Sequence, residues 1–314
     1  MKEEIYSTSQ KSDQGNQENI TFKVDNAIIM AAGLSSRFAP LSYEYPKALL
    51  KVKGEVLIER QIKQLISAGI EHITIVVGYK SVLFEYLKDK FHVDLVYNPD
   101  YDKKNNIATL FHVRERLKNT YICSADNYFT ENVFEPIVED SYYSAVFDEG
   151  QTAEWCIDTD ENGLITSVKI GGENSWIMLG HAFFSEQFSE KFVSILEEIY
   201  DEPETGSLLW ESVYIAHMDK LSMQIRKYSK DMIFEFDSLD ELRAFDETYM
   251  NASGSRILIE LCEKLGCKES EIVESKPLSK NGETYGFSFL VSGKHYRYLY
   301  KTNELEVDNH EQTR

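Results

Sequence analysis

Beyond a polar start, the chain alternates two hydrophobic patterns. A short apolar run at 27–30 reads as a buried strand, and the β-branched stretch 72–77 and the stretches 93–97 and 121–124 also read as strands. Between them, apolar residues fall at helical spacing. Positions 57, 58, 62, 65 and 66 form a stripe within 56–68, and Gly69 stands where a C-cap belongs. Residues 81–90 read as a helix, and Ile107, Leu110, Phe111, Val113 and Leu117 make 107–117 amphipathic. This order predicts an α/β fold with a mainly parallel, mixed sheet covered on both faces. Such sheets bind ligands at the carboxyl ends of their strands.

From 142 to 184 the pattern predicts shorter strands, with a hairpin turn at Asp160-Glu161-Asn162-Gly163. Helices follow at 186–200 and 206–218, then strands at 222–228 and 233–237 and a last helix near 239–247. No internal repeat is visible. Composition shifts near residue 251. Residues 251–314 carry nine Lys/Arg and ten Asp/Glu, so nearly all of the net charge of −20 lies before them. They read as a separate small α+β appendage, one helix at 257–265 and three strands. Residues 1–22, rich in Ser, Gln, Asn and Glu, are predicted to be disordered, which leaves 23–250 as the main domain.

A chain of 314 residues that is 42% hydrophobic and 12% aromatic can bury a sizeable core. A net charge of −20 argues against nucleic acid, because phosphate backbones select basic surfaces. An anion can bind only where cations and backbone N–H groups cluster. Cys123, Cys156, Cys262 and Cys267 show neither metal spacing nor a disulfide framework, and no His-x-x-x-His occurs, so zinc is not expected. The N-terminus has no apolar h-region and no window approaches a membrane span, so a soluble cytoplasmic protein is expected.

Candidate chemistry gathers where the first apolar run ends. Ala31, Ala32 and Gly33 lead into Ser35, Ser36 and Arg37, and Pro46-Lys47 follows. Small residues let backbone N–H groups approach a polyphosphate, and the two cations offset its charge. No Gly-Lys-Ser/Thr follows, so this is not a Walker loop, and one glycine is not the three-glycine dinucleotide fingerprint. The plainer alternative is an ordinary strand–turn–helix connection.

Asp126 closes the 121–124 run. It is a candidate Mg²⁺ ligand, or else a turn or helix-cap aspartate. Asp237 ends the 233–236 run and is a second candidate, with Glu235 as the fallback; the alternative is that Asp237 or Ser238 caps the next helix. Asn105, Asn106 and Thr109 open a helix and can read a base edge or ribose, or one of the asparagines simply caps it. Glu154 with Trp155, Trp176, Trp210 with Glu211, and Tyr214 a turn beyond supply the aromatic faces and carboxylates that hold an ammonium group. Taken singly, each tryptophan also reads as core.

Over about residues 25–250 the segments Ala31 to Phe38, Pro46-Lys47, Asn105-Asn106, Ala125-Asp126-Asn127 and Glu235-Phe236-Asp237-Ser238, in this order, resemble the CTP:phosphocholine cytidylyltransferases of the sugar-nucleotidyltransferase superfamily. The resemblance implies a Rossmann-like nucleotidyltransferase domain that moves CMP from CTP to phosphocholine, giving CDP-choline and pyrophosphate. It implies Mg²⁺ held by Asp126 and Asp237, with Lys47 on phosphate. A related branch activates 2-aminoethylphosphonate, and sugar-1-phosphate nucleotidyltransferases share the Gly33 loop. A non-catalytic nucleotide-binding scaffold is the alternative from another class. In 251–314, the segments 261–267, 272–274, 276–278 and 287–294 resemble the start of a choline-kinase-type small lobe. No His-x-Asp catalytic loop follows, so kinase activity is not expected. For this tail a vestige, a docking element and a dimer surface stay open, and with the last a homodimer.

Overall fold

The computed structural model describes residues 21–280 and 282–308. The disorder expected for 1–22 falls almost wholly outside that range; within it, Phe22–Lys23 pairs as a short antiparallel strand with Ile137–Val138.

The main sheet runs Gln224–Tyr228, Tyr142–Thr159, Ile165–Phe184, Thr120–Ser124, Asn26–Ala31, Ile73–Val77, Asp94–Tyr97. Asn26–Ala31 is parallel to both neighbours, and Ile165–Phe184 is antiparallel to both of its own, so the sheet is mixed but mainly parallel. Successive side chains of a strand face opposite ways. Ala27, Ile29 and Ala31 therefore enter one core with Ile73, Ile75, Tyr121 and Cys123, while Ile28 enters another with Val76 and Ile122. Burial on both faces is why these strands read as unbroken apolar runs. The Leu57–Ser67 helix covers the first face with Ile58, Ile62 and Leu65. Glu186–Ile199 and Trp210–Ala216 cover the second with Phe192, Leu196, Trp210 and Tyr214.

Three expectations change. The 81–90 helix divides into a 3-10 turn, Ser81–Phe84, and a helix, Tyr86–Phe91. The 107–117 helix is Asn106–Phe111 only; the Arg114 guanidinium donates to the Phe111 carbonyl at 2.9 Å and closes it. The shorter strands expected over 142–184 are two long bent ones, Tyr142–Thr159 and Ile165–Phe184, joined by the expected 160–163 turn. Their register shifts beside Gly150, and Gly171 and Asn174 also take positive φ. Bulges of this kind look like strand ends in a sequence.

The C-terminal part contains a helix, Arg256–Leu265, capped by Ser255 and ended by left-handed Gly266. An antiparallel sheet follows, Val273–Lys280, Glu283–Val291, Lys294–Leu299 and Glu304–Val307. The sheet has four strands where three were expected; the last, Glu304–Val307, is short and mostly exposed. Nor does this part stand apart. Phe287, Phe289, Tyr298 and Leu258 share one core with Phe38, Leu41, Leu50 and Leu57 of the main domain, and with Phe236 and Leu242. The charge boundary near 251 is a compositional change, and the core runs across it. Among the described residues no helix is long and apolar enough to cross a membrane.

Candidate active site

A cleft of about 420 Å³ opens at the carboxyl ends of Asn26–Ala31 and Thr120–Ser124. It gathers Ala31, Ala32, Gly33, Ser35, Ser36, Arg37, Lys47, Asn105, Asn106, Thr109 and Asp126, drawn from four separate stretches of sequence. Backbone bonds fix the walls: Ala125 N–H donates to the Met30 carbonyl and Tyr79 N–H to the Ala32 carbonyl, each at 3.1 Å. Ser35 takes a left-handed φ of 47°, which turns the loop so that Phe38 N–H reaches the Ser35 carbonyl at 2.9 Å. Phe38 then plugs into the third core at 1% exposure. Its neighbour Arg37 is left facing outward, with 73% of its side chain exposed.

Two ion pairs mark the cleft. Lys47 is buried and its Nζ lies 3.1 Å from Asp126 Oδ2, over the Phe38 ring. Arg37 Nη1 lies 2.9 Å from Asp237 Oδ2 at the mouth. An exposed pair of the second kind stabilises little; its significance is where it stands. The capping alternatives resolve locally. Asp126 sits in a turn before the Asn127–Phe129 strand, so it has no helix to cap. Ser238 takes the cap of Leu239–Phe245 by accepting from Glu241 N–H at 3.2 Å, while Asp237 N–H donates to Glu241 Oε2 at 2.7 Å. The Asp237 carboxylate is thereby left for Arg37. Asn105 does act as a cap, accepting from Asn106 N–H, and lines the cleft as well.

Glu235 stands opposite Asn127 in the antiparallel pair of Ile233–Glu235 with Asn127–Phe129, and accepts from Asn127 Nδ2 at 3.3 Å. That register sets it beside Asp126. Although Glu235 is exposed, its carboxyl is pushed well above the usual carboxylate range, first by the Asp126 charge and then by lost hydration; Lys47 opposes this. Asp126, Glu235 and Asp237 thus crowd one region that also holds Lys47 and Arg37. Among the described residues, no three His, Cys, Asp or Glu form a ready-made metal centre.

The residues expected around an ammonium group part company. Glu154 is exposed near the Arg37–Asp237 pair; partial loss of hydration at its carboxyl and the Asp237 charge raise its pKa, and Arg37 opposes this. Trp155 packs half-buried against the second core, and Trp176 carries Lys227 Nζ 4.8 Å above its ring. Trp210 and Tyr214 are withdrawn from the site altogether. At 1% and 0% exposure they are sealed among Phe184, Phe188 and Phe192, with no face for a ligand. The Trp210–Glu211 corner holds Asn106 instead. Trp210 N–H donates to Asn106 Oδ1 at 2.7 Å, and Glu211 accepts from Asn106 Nδ2 and from the Tyr143 hydroxyl, each at 3.3 Å.

Lost hydration pushes the Glu211 pKa up to about 7, against the opposing pull of its Asn106 and Tyr143 bonds. A carboxyl whose folded pKa exceeds its unfolded one favours folding while protonated. That contribution is complete below the unfolded pKa near 4.5 and is lost as pH rises through about 7. Glu211→Gln keeps an acceptor for Asn106 and removes the titration. The melting-temperature difference, variant minus wild type, is expected to rise by roughly 2 °C or more between pH 5 and pH 8. A difference independent of pH would remove Glu211 as the titrating group.

Sequence reading missed Asn98, Tyr101 and Lys104 in the lining. Asn98 is buried, accepts from Asp100 N–H at 2.9 Å and donates to Thr109 Oγ1 at 3.4 Å. The available signal was Asn98-Pro99, a turn at the carboxyl end of the 93–97 run. Gly78 was a second signal. A Cβ there would stand 2.5 Å from Tyr101 Cβ and 2.8 Å from the Ala32 carbonyl, so only glycine lets Tyr101 close this side.

Residues 27–155 match the MobA-like NTP transferase domain. The 2-aminoethylphosphonate cytidylyltransferase of Lancefieldella rimae is 37% identical over 229 residues, which cover 72% of this chain and 93% of that protein. The choline-phosphate cytidylyltransferase of Streptococcus pneumoniae is 34% identical over 225 residues, covering 72% and 98%. The solved structure of the CTP:phosphocholine cytidylyltransferase from Streptococcus pneumoniae matches with a TM-score of 0.69 at 34% identity, over 72% of this chain and 99% of that one.

Proposed function

The chain belongs to the CTP:phosphocholine cytidylyltransferase family of the sugar-nucleotidyltransferase superfamily, and from that premise we propose that it transfers CMP from CTP to a small amino-alkyl phosphate or phosphonate. The observation that carries this reading is the pair of cations, Lys47 on the cleft floor and Arg37 at its mouth, flanking a loop of small residues. An oxygen of the acceptor phosphate or phosphonate forms a bond to the α-phosphorus, the α–β bridging bond breaks, and pyrophosphate leaves with its electrons. The attacking group is already ionised near neutral pH, so no general base is needed. Alignment and charge neutralisation supply the rate.

In this reading the Gly33-loop N–H groups and Arg37 bind the triphosphate, Lys47 lies between the α-phosphate and the acceptor, and Asn105, Asn106 and Thr109 face the nucleoside. Asp126 and Asp237, with Glu235 beside them, are the residues that would hold Mg²⁺. Two observations support that fit: the donors are all hard oxygens, and Asp126 and Glu235 repel each other in a way that a cation relieves. Bound there, Mg²⁺ would neutralise phosphate charge and orient the leaving pyrophosphate.

The acceptor's nitrogen end selects between two readings. A trimethylammonium group prefers aromatic faces, whereas a primary ammonium donates hydrogen bonds and prefers carboxylates. Trp210 and Tyr214 are inside the core, and the Glu154 carboxylate is exposed at the mouth. This favours 2-aminoethylphosphonate over phosphocholine. The test is pyrophosphate release with Mg²⁺, crossing CTP, UTP, dTTP and ATP against 2-aminoethylphosphonate, phosphoethanolamine, phosphocholine and glucose-1-phosphate. Turnover with CTP only, at least tenfold more efficient with the phosphonate than with phosphocholine, is the expected result; tenfold corresponds to about 1.4 kcal/mol. A reversed preference would restore an aromatic wall, built on Trp155 and Trp176. Turnover only with UTP or dTTP and the sugar phosphate would overturn the acceptor reading as a whole.

A further inference from the structure

The C-terminal part meets the main domain directly behind the site. Arg243, inside the Leu239–Phe245 helix and 5% exposed, donates to the Ile272 and Glu269 carbonyls at 2.6 Å each. It also donates to Asp240 Oδ1 at 3.1 Å, and the other Asp240 oxygen accepts from Glu274 N–H at 2.9 Å. This clamp grips the helix that begins two residues after Asp237. On the other flank, the Glu44 carboxylate accepts from the Ser255 hydroxyl and, at 2.9 Å, from Arg256 N–H, which ties it to the start of the Arg256–Leu265 helix. Tyr43 stacks on Tyr300 with ring centroids 3.7 Å apart. Tyr43 and Glu44 lie on the stretch between Arg37 and Lys47, and Phe38 from the same stretch sits in the core shared with Phe287.

We propose that the C-terminal part is a positioning element of the active site, in which the Arg243–Asp240 clamp and the Glu44 tie fix where Asp237 and Arg37 stand relative to each other. The two partners of the mouth ion pair lie 200 residues apart in sequence, on loops with exposed side chains. Their own contact is too weak to hold both loops. Both loops are instead anchored from behind by the same unit. The choline-phosphate cytidylyltransferase of Streptococcus pneumoniae has no room for such a unit in addition, since 225 aligned residues use up 98% of it while more than a quarter of this chain is left over. Arg243 touches no reacting atom; it is a positioning residue. The idea rests on the transferase reading for its kinetic arm only.

The test uses the full chain with Arg243→Lys, which keeps the charge but not the fork, and Asp240→Asn and Glu44→Gln, which loosen the clamp and the tie from the surface without opening the core. Misplacement of this kind costs up to about 10²-fold in rate. Asp240→Asn is expected to lower kcat about tenfold or more, with CTP affinity changed less than about threefold. In an Asp237→Asn background the same substitution is expected to change kcat less than about threefold, because residues acting as one unit are not additive. Amide hydrogen exchange across 34–47 and 236–242 is expected to accelerate in all three variants while the Asn26–Ala31 strand stays protected. Full additivity with Asp237→Asn, or unchanged exchange in both segments of folded variants, would overturn the proposal. A wild-type protein silent with every acceptor would count against the transferase reading alone, and the exchange measurement would still decide the positioning role.

Discussion

Lys47→Ala is expected to lower pyrophosphate release from CTP by on the order of 10²–10³-fold, with CTP still bound. Lys47 is buried in the cleft floor, and its ammonium is held 3.1 Å from Asp126 over the face of Phe38. A charge held there needs no reorganisation when negative charge builds on the α-phosphate, which is the condition for large electrostatic catalysis. Arg37 cannot replace it, because its side chain is largely exposed at the mouth and engaged with Asp237. The substitution also removes the cation that opposes the upward shift of Glu235, so Glu235 takes up its proton more readily. Lys47→Met separates the two effects by restoring bulk without charge, and it is expected to be as inactive as the alanine variant. Single-turnover rates with CTP affinity measured separately check this. A rate within tenfold of wild type in both variants would move the phosphate-binding charge to another residue.

The sequence showed most clearly what repeats or clusters locally. Burial of the central strands keeps them largely apolar, so the parallel strands at 27–30, 72–77 and 121–124 were visible, and with them the end of the sheet where Gly33 and Asp126 meet; the edge strand Asp94–Tyr97 is only partly buried and was legible from its Leu95, Val96 and Tyr97. Asp126 was legible as a candidate for the same reason, lying just past a strand end, whereas Lys47 stood out by the spacing of Pro46-Lys47 after the Gly33 loop. Tertiary partnership was not legible. Ser238 and Asp237 were equal candidates for one cap until the Glu241 contacts divided the roles. Trp210-Glu211 had the composition of an ammonium cage, yet burial turned the pair toward Asn106. The C-terminal charge balance suggested an independent unit because composition reports on surfaces, whereas Phe38, Phe236 and Phe287 share a core that only the folded chain displays.

Asp126→Asn is expected to cost on the order of 10²–10³-fold in rate and yet to make the protein more stable at high pH. Asp126 carries the largest share of the repulsion that raises Glu235. Because the folded pKa of Glu235 lies above the unfolded one, its favourable contribution is complete at low pH and is lost as pH rises through the folded value. Neutralising Asp126 lets Glu235 ionise nearer its ordinary range and pair with Lys47, so that alkaline loss shrinks. The melting temperature of the variant relative to wild type is therefore expected to increase from pH 6 to pH 9 while activity collapses at both. Asp237→Asn is expected to cost rate without this alkaline gain, because its carboxylate is 42% exposed, pairs with Arg37, and adds less to the Glu235 shift than Asp126 does. If Asp126→Asn kept activity within tenfold of wild type, the carboxylate that matters on the cleft floor would be Glu235. If the alkaline gain were missing although activity was lost, Asp126 would be catalytic without the like-charge strain inferred here. Loss of rate and alkaline gain together would mark a site where crowded carboxylates are kept, at a cost in stability, for what they bind.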